Sequence, residues 1–276
     1  MAEEITPEQA QEIVSMLTQG GAMESINTSL ALGILPLVES IGDYDLLERL
    51  VEHAGVVAKD DVEKGWARFE MLKRNQGSID DVAELAFKSE SIENGDALAA
   101  GVLHHHALML LSIDDIDGAQ TSVRRSLTLR EKLDDKEGII FGLAVLSRCS
   151  RANEDWETAI IHDTRRLELA VNNQNDVLQM EAMADVAHAQ ASLGELATAS
   201  EMYQESLDIA KSMEHPAGHL VASWGLADLA EIETRFDDAL LLLSDTMHLF
   251  MQLGIETPAL LKKRLHALTN IEKYVR

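Results

Sequence analysis

The chain has 276 residues, of which 46% are hydrophobic and only 4% aromatic, and its formal net charge is −25. This charge argues against a nucleic-acid backbone or an anionic membrane surface as a partner, and so few aromatic residues favour alanine and leucine packing between helices over a β-sandwich or barrel. The longest apolar run, Leu30 to Val38, is too short to cross a bilayer. We therefore expect an all-α protein that binds neither nucleic acid nor a membrane.

The N-terminal third of the chain predicts a series of helices. The first begins after Thr6, whose hydroxyl can cap it, has Pro7 in its first turn and ends at Gly20. Further helices are predicted at 23–41, after a turn at 42–45, and as a hairpin at 60–75 and 79–91.

The middle of the chain, residues 96–255, repeats with a period of 40 residues. Each copy has an alanine in its second half, at Ala119, Ala159, Ala199 and Ala239. Three residues earlier stands a large apolar residue, at Ile116, Trp156, Leu196 and Phe236. Twelve residues before each alanine stands a small residue, at Ala107, Ser147, Ala187 and Ala227. A fixed period of this length is typical of a solenoid built from helical hairpins.

The third copy shows why each unit should be a helical hairpin. Asp176 is predicted to cap a first helix, Gly194 to end it and Leu196 to open a second one. Ala187 and Ala199 are short enough for two antiparallel helices to approach closely, so we place them at the contact inside the hairpin. Each hairpin then leaves an apolar face, which the next copy buries by stacking.

These units resemble the tetratricopeptide repeat, in the 40-residue form found in kinesin light chains and bacterial regulators. That family favours a small residue in the first helix, a bulky residue opening the second, an alanine three residues on and an aromatic four residues later. At that last position the four copies carry Val123, Asp163, Tyr203 and Leu243. Asp163 thus departs from the pattern. The resemblance covers 96–255 and is weaker upstream, where Ala83 and Leu47 continue the alanine position at a spacing of 36.

The resemblance implies a right-handed superhelical solenoid, which we interpret as one domain spanning 1–276. Its parts are an N-terminal helix at 1–22, two degenerate repeats at 23–95, four 40-residue repeats at 96–255 and a C-terminal capping helix at 256–276. The last part has five basic and two acidic residues, a local charge of +3. Two interpretations follow: a solubilising cap, or a helix that docks on its own acidic solenoid or on a second copy.

No motif for catalysis is found in the sequence. Phosphate loops, nucleophile elbows, dinucleotide fingerprints and zinc-protease motifs are missing, so we expect neither enzyme activity nor a cofactor. His104, His105 and His106 are consecutive, and neighbouring helical residues point about 100° apart, so they cannot hold one metal ion from one helix. Cys149 is the single cysteine and cannot form an internal disulfide, which suits the reducing cytoplasm.

The resemblance places ligands in a concave groove lined by the first helices of the hairpins. The candidate partner-binding residues are the inward positions of these helices, Arg68, Asn75, His104, Arg148, Arg151, His188, Trp224 and Asp228. Basic side chains collect on this stripe although the chain is acidic. They either bind carboxylates of a partner or fall there by chance and pair with neighbouring acids.

The sequence therefore predicts a cytoplasmic, non-enzymatic adaptor or scaffold that binds a peptide or protein segment in the groove. Two alternatives remain open. One is a regulatory sensor that responds to a small molecule or a peptide. The other is a structural protein that assembles with itself through the C-terminal helix.

Overall fold

The computed structural model describes residues 6–75 and 77–275, and within these ranges it contains fifteen α-helices and no strand. Most helices that are neighbours in the chain also pack against each other in space. The predicted all-α solenoid of helical hairpins is therefore confirmed. In the described part of the chain, no helix has both the length and the apolar character needed to cross a membrane.

The chain divides into two compact units, Met1–Asp135 and Lys136–Arg276, which we call the N-terminal unit and the C-terminal unit. The described helices of the N-terminal unit are α1 Pro7–Thr18, α2 Thr28–Gly33, α3 Leu35–Ser40, α4 Tyr44–Val57, α5 Asp61–Arg74, α6 Ile79–Ser89, α7 Asp96–Ser112 and α8 Ile116–Lys132. Those of the C-terminal unit are α9 Lys136–Ala152, α10 Trp156–Asn172, α11 Asp176–Ser192, α12 Leu196–Ser212, α13 Pro216–Ile232, α14 Phe236–Gln252 and α15 Ala259–Val275. The assignment of a single domain to the whole chain stays a prediction.

A turn of one type recurs at even intervals after helices α7 to α14. These helices are equal in length, and the second residue after each of them has a positive φ, at 114, 134, 154, 174, 194, 214, 234 and 254. At each of these ends, the following N–H donates to the carbonyl five positions back, as Asn175 does to Ala170 at 3.0 Å. This bond closes a helix on a left-handed residue. Only Gly194 and Gly254 are glycines among the eight, so six of these turns carry no glycine signal in the sequence.

The predicted contact inside each hairpin is confirmed, because the small residues that define the repeat are completely buried. They are Ala107, Ser147, Ala187 and Ala227 on the first helices and Ala119, Ala159, Ala199 and Ala239 on the second. In the hairpin of α11 and α12, Ala187 and Ala199 lie in one hydrophobic cluster with Tyr203 and Leu207. Short side chains let the two helices approach, and the larger neighbours fill the space beside the contact.

The predicted helix from Met23 to Ile41 is wrong, because this segment forms the two short helices α2 and α3. Asn27 caps α2 by accepting a hydrogen bond from the N–H of Leu30 at 2.9 Å, so the helix begins later than predicted. Pro36 stands in the first turn of α3 and has no N–H to donate to the carbonyl four positions back. The two helices therefore separate at Ile34.

Helix starts show how local polar groups set the boundaries. Thr6 caps α1, as the sequence predicts, and Gln9 caps Thr6 in return, with bonds of 3.3 and 2.8 Å. The predicted cap of α11 is wrong by one residue: Asn175, not Asp176, accepts a hydrogen bond from the N–H of Leu178, at 3.0 Å. Asp176 is instead the first helical residue, where its negative charge faces the positive end of the helix dipole.

The C-terminal helix α15 packs against the last hairpin, formed by α13 and α14. Leu261, Leu265 and Leu268 are buried in one cluster with Ala230 and Leu243 of that hairpin. The helix therefore covers the apolar face that the last hairpin of a stack would otherwise expose.

If the alanine contact determines how closely the helices pack, a bulky residue there destabilises the fold. We expect Ala199→Trp to lower the free energy of unfolding by roughly 1–3 kcal/mol, because the buried site has no room for an indole ring. Urea unfolding followed by circular dichroism measures this. The control is Ala197→Trp, two positions earlier on the same helix and exposed, which should change it by less than about 0.5 kcal/mol. Equal effects from both would contradict the register.

Candidate functional site

Five of the predicted partner-binding residues lie on three successive first helices of the C-terminal unit, α9, α11 and α13. We call Arg148, Arg151, His188, Trp224 and Asp228 the first-helix face. Arg148, His188 and Asp228 occupy equivalent positions of successive copies, and all three are exposed. The repeat thus sets a row of chemically different side chains along one face of the unit.

Among the described residues, Arg148 is the unpaired cation of this face, which we call its open cation. Its side chain is exposed, and it forms no ion pair with any residue in the described ranges. His188, on the next first helix, packs edge-to-face against Trp156 with ring centroids 5.7 Å apart. Although His188 is exposed to solvent on one side, desolvation by the residues packed on its other side and the charge of Arg151 lower the pKa of this imidazole, so it is neutral at pH 7.

Arg151, by contrast, is held inside a network of charged side chains. Its guanidinium donates to Asp163 at 2.8 Å and to Ser147 at 3.0 Å, and it lies 3.3 Å from Asp185. Asp163 is 0% exposed and also accepts a hydrogen bond from Ser147. A buried carboxylate needs pairing and hydrogen bonds, and these contacts supply them to Oδ2, whereas Oδ1 accepts no hydrogen bond within the described residues.

A second arginine, Arg166 of α10, completes the network. It donates to Asp185 at 2.5 Å and to Glu181 at 3.1 Å, and it lies 3.8 Å from Asp163. Two guanidinium groups and three carboxylates therefore join α9, α10 and α11. Because both arginines are fixed by several bonds at once, this part of the first-helix face is rigidly supported.

Burial in this network, with the nearby carboxylate of Asp185, raises the pKa of Asp163 to about 6, although Ser147 and the two arginines act in the opposite direction. The carboxyl group is therefore ionised at pH 7 and becomes protonated in mildly acidic solution.

The network explains why the second copy of the repeat departs from the pattern. Ser147 replaces the small alanine of the other copies, and Asp163 replaces the usual large residue at its position. Arg151 stands where the other copies have leucine, alanine or glutamate. Sequence reasoning identified Asp163 as a departure but missed Arg166, Asp185 and the role of Ser147. The available signal was that several departures fall in the same copy.

Trp224 is covered by an arginine from the C-terminal helix. The guanidinium of Arg264 lies 4.4 Å from the centroid of the Trp224 ring. It also pairs with Asp228 at 2.5 Å and with Glu231 at 2.6 Å. Stacking on the indole and pairing with two carboxylates is a favourable arrangement for a guanidinium. The C-terminal helix is therefore tied to the first-helix face at its α13 end.

A pocket of about 230 Å³ lies between α11 and α13, next to the network. Arg166, Glu181 and Asp185 form its charged wall, and Met180 and Val221 are among its apolar lining residues. This recess is lined by residues of the network and by none of the five residues of the first-helix face.

The other three predicted residues lie in the N-terminal unit. Arg68 and Asn75 are exposed on α5 and at its C-terminal end, and the guanidinium of Arg68 lies 3.7 Å from the sulfur of Met71. His104 is partly buried on α7, and burial and the charge of Arg130 lower its pKa to about 4.

The three consecutive histidines have different surroundings, as their helical spacing requires. His105 packs edge-to-face on Phe69 with centroids 5.5 Å apart, and Nδ1 of His106 lies 2.9 Å from the hydroxyl of Ser122. In the described residues, no three His, Cys, Asp or Glu side chains are grouped to hold a metal ion.

No protein-family model matches this chain, and no curated protein sequence matches it. Solved structures do match. One is a signal transduction ATPase with numerous domains that carries a tetratricopeptide repeat sensor, from Pyrococcus horikoshii, with a TM-score of 0.66 and 13% identity. The match covers 95% of this chain but 39% of that one, so this chain spans less than half of that protein's length.

Two further matches are Rap proteins. The apo form of RapI has a TM-score of 0.71 and 11% identity, over 96% of this chain and 75% of that one. A Rap protein complexed with Competence and Sporulation Factor has a TM-score of 0.62 and 17% identity, over 98% of this chain and 81% of that one. At these identities the likeness concerns the fold: the chain has the fold of tetratricopeptide-repeat proteins.

In the buried network, the effect of one substitution on the free energy of unfolding should depend strongly on the other residues of the network. Asp163→Leu should lower the free energy of unfolding by about 3 kcal/mol at pH 7, because it removes the buried carboxylate to which Arg151 and Ser147 both donate. Adding Ser147→Ala and Arg151→Leu restores the residues of the first copy at both positions and should bring stability to within about 1 kcal/mol of wild type. Urea unfolding measures both. A triple variant less stable than the single one would contradict this coupling.

The raised pKa of Asp163 determines in which direction the free energy of unfolding changes with pH. Its ordinary value is 3.8 and its folded-state value is about 6, so the folded protein binds this proton more tightly than the unfolded chain. The stability it contributes is therefore complete below about pH 4 and is lost as the pH rises through about 6. The unfolding free energy of wild type minus that of the triple variant should fall between about pH 4 and 7. A constant or rising difference would contradict the assignment.

Proposed function

We propose that this chain is a protein-interaction scaffold that binds a segment of a partner protein along the first-helix face of the C-terminal unit. The observation that carries the proposal is the exposed Arg148, which has no ion-pair partner among the described residues of a chain with a net charge of −25. In so acidic a protein, an arginine left open on a rigidly supported face is suited to an external anion.

The chemistry of the face points to an acidic segment. The planar fork of Arg148 can donate two parallel hydrogen bonds to one carboxylate of the partner. His188 stands at the equivalent position of the next first helix and can add a neutral hydrogen bond. Phe141 lies two helical turns before Arg148 and is 43% exposed, so it offers an apolar contact beside the charged one. Arg151 supports the face from within the network.

Three further observations are compatible with this function. One neighbour of the same fold was solved in complex with Competence and Sporulation Factor, so a protein of this fold can hold a partner. The sequence contains no catalytic motif. Cys149, the single cysteine, is buried, which suits a reducing compartment such as the cytoplasm.

A regulatory sensor is the second candidate function, and the contacts of Arg264 favour it. Its bonds to Asp228 and Glu231 hold α15 on α13 through partly exposed ion pairs. A ligand that pairs with these carboxylates would displace Arg264 and uncover Trp224. Binding on α13 would thereby be coupled to the position of the C-terminal helix.

The test compares two charge reversals on exposed arginines. A partner is first recovered by pull-down with the full chain, and binding is titrated by calorimetry. Arg148→Glu should weaken binding by about tenfold or more, because it replaces an attraction by a repulsion. The loss should shrink as salt is raised, because the lost attraction is already partly screened.

The matched control is Arg124→Glu, which makes the same charge change at an exposed position of α8, a second helix. It should weaken binding by less than about twofold. If the two variants fold normally and lose equal amounts of affinity, the change in net charge alone would explain the loss. That result would overturn the assignment of the binding site to the first-helix face.

A further inference from the structure

Helix α13 shows how this chain binds an arginine side chain. An aromatic residue, Trp224, is followed four and seven positions later by the carboxylates Asp228 and Glu231. This spacing places the three side chains on one side of the helix. Arg264 lies 4.4 Å from the ring centroid and within 2.6 Å of a carboxylate oxygen of each acid. The aromatic group supports the flat face of the guanidinium, and the acids accept its N–H groups.

A similar set of side chains occurs on α4 of the N-terminal unit. Tyr44 is followed four and eight positions later by Glu48 and Glu52, which again share one side of a helix. Tyr44 is 71% exposed, and both glutamates are exposed. Within the described ranges, no lysine or arginine lies over the Tyr44 ring, and neither glutamate is in an ion pair. Helix α4 therefore presents to solvent the kind of side-chain set, one aromatic ring and two carboxylates, with which α13 binds Arg264.

These three side chains line one cleft of about 480 Å³ between α4 and the C-terminal end of α5. Leu47 and Val51 of α4 are buried and line the same cleft, as does Met71 of α5. The cleft therefore combines apolar groups, suited to the methylene groups of a long side chain, with carboxylates suited to a charged end.

The basic residues of the cleft do not cancel its acidic character. Lys73 pairs with Glu70 at 2.9 Å, and Arg74 pairs with the same glutamate and lies 3.8 Å from Glu39. Both cations are thus already neutralised by neighbouring acids. The carboxylates of Glu48 and Glu52 remain the charges available to a ligand.

We propose that this cleft binds an arginine side chain of a partner protein, with the guanidinium stacked on Tyr44 and paired with Glu48 and Glu52. Arginine fits better than lysine because a planar guanidinium can stack on a ring and donate to two acids at once. The overall charge of −25 also attracts a basic segment. This site is separate from the proposed first-helix face: it lies in the other unit and takes a group of the opposite charge.

The test uses a defined probe and the full chain. The probe is the capped tripeptide acetyl-Leu-Arg-Leu-amide, and its control has citrulline, which keeps the shape of arginine without the charge. Titration is followed by amide chemical shifts of the labelled protein. We expect the arginine probe to shift resonances of residues 44–52 with a dissociation constant on the order of 1 mM. The citrulline probe should bind at least about fivefold more weakly, and the lysine analogue about threefold.

Matched variants locate the site. Glu48→Gln/Glu52→Gln should weaken arginine binding by about fivefold, and Tyr44→Leu by about threefold. The control Glu12→Gln/Glu93→Gln removes the same charge from two exposed glutamates of this unit that do not line the cleft, and should change binding by less than about twofold. These positions are exposed, and unchanged circular dichroism checks the fold.

Several outcomes would overturn the proposal. The first is that about 10 mM of the arginine probe, well above the expected dissociation constant, does not shift the resonances of residues 44–52. The second is that the citrulline probe binds as tightly as the arginine probe. The third is that the two double-glutamine variants lose equal amounts of binding. Lysine binding as tight as arginine would overturn the assignment to arginine. None of these results depends on the partner of Arg148, so the two proposals fail or hold separately.

Discussion

The close approach of two helices at a pair of small residues is the constraint on which each hairpin depends. Ala187 and Ala199 are completely buried at this contact, and the other copies place small residues at the same positions. The repeat period brings the contact back once per hairpin. Evenly spaced turns of one type keep the helices at equal length, so the copies of the C-terminal unit present their first helices in the same register. Within that unit, side chains at equivalent positions of successive copies can therefore form one surface.

The second copy shows how the repeat accommodates charged side chains between its helices. Its serine at position 147 is still small enough for the hairpin contact, yet its hydroxyl reaches Asp163. Asp163 in turn holds Arg151, and Asp185 of the next first helix bonds to both Arg151 and Arg166. The network replaces apolar packing with directional bonds, which fix side-chain positions more narrowly than apolar contacts do. It lies beside Arg148, the open cation of the proposed binding face.

The two proposed sites would bind groups of opposite charge. In the C-terminal unit, Arg264 of the chain itself is stacked on Trp224, whereas Arg148 is exposed and in no ion pair with the described residues. In the N-terminal unit, Tyr44 lines an acidic cleft. If both proposals hold, a scaffold that binds an acidic group at Arg148 and a basic group in the acidic cleft would select partners by their charges, since a like charge at either place is repelled.

The sequence by itself determined the periodic parts of this protein. Alanine spacing identified the hairpins, and the cap at Thr6 was predicted because the N–H that it accepts from is in the first turn of the same helix. The break at Pro36 is local as well, but the apolar spacing runs on through it and predicts one helix. Only the tertiary structure decided that Arg151 is bound by Asp163 and that Trp224 is covered by Arg264. These partners lie on different helices, and a periodic pattern shows which positions repeat but not which side chains meet across helices.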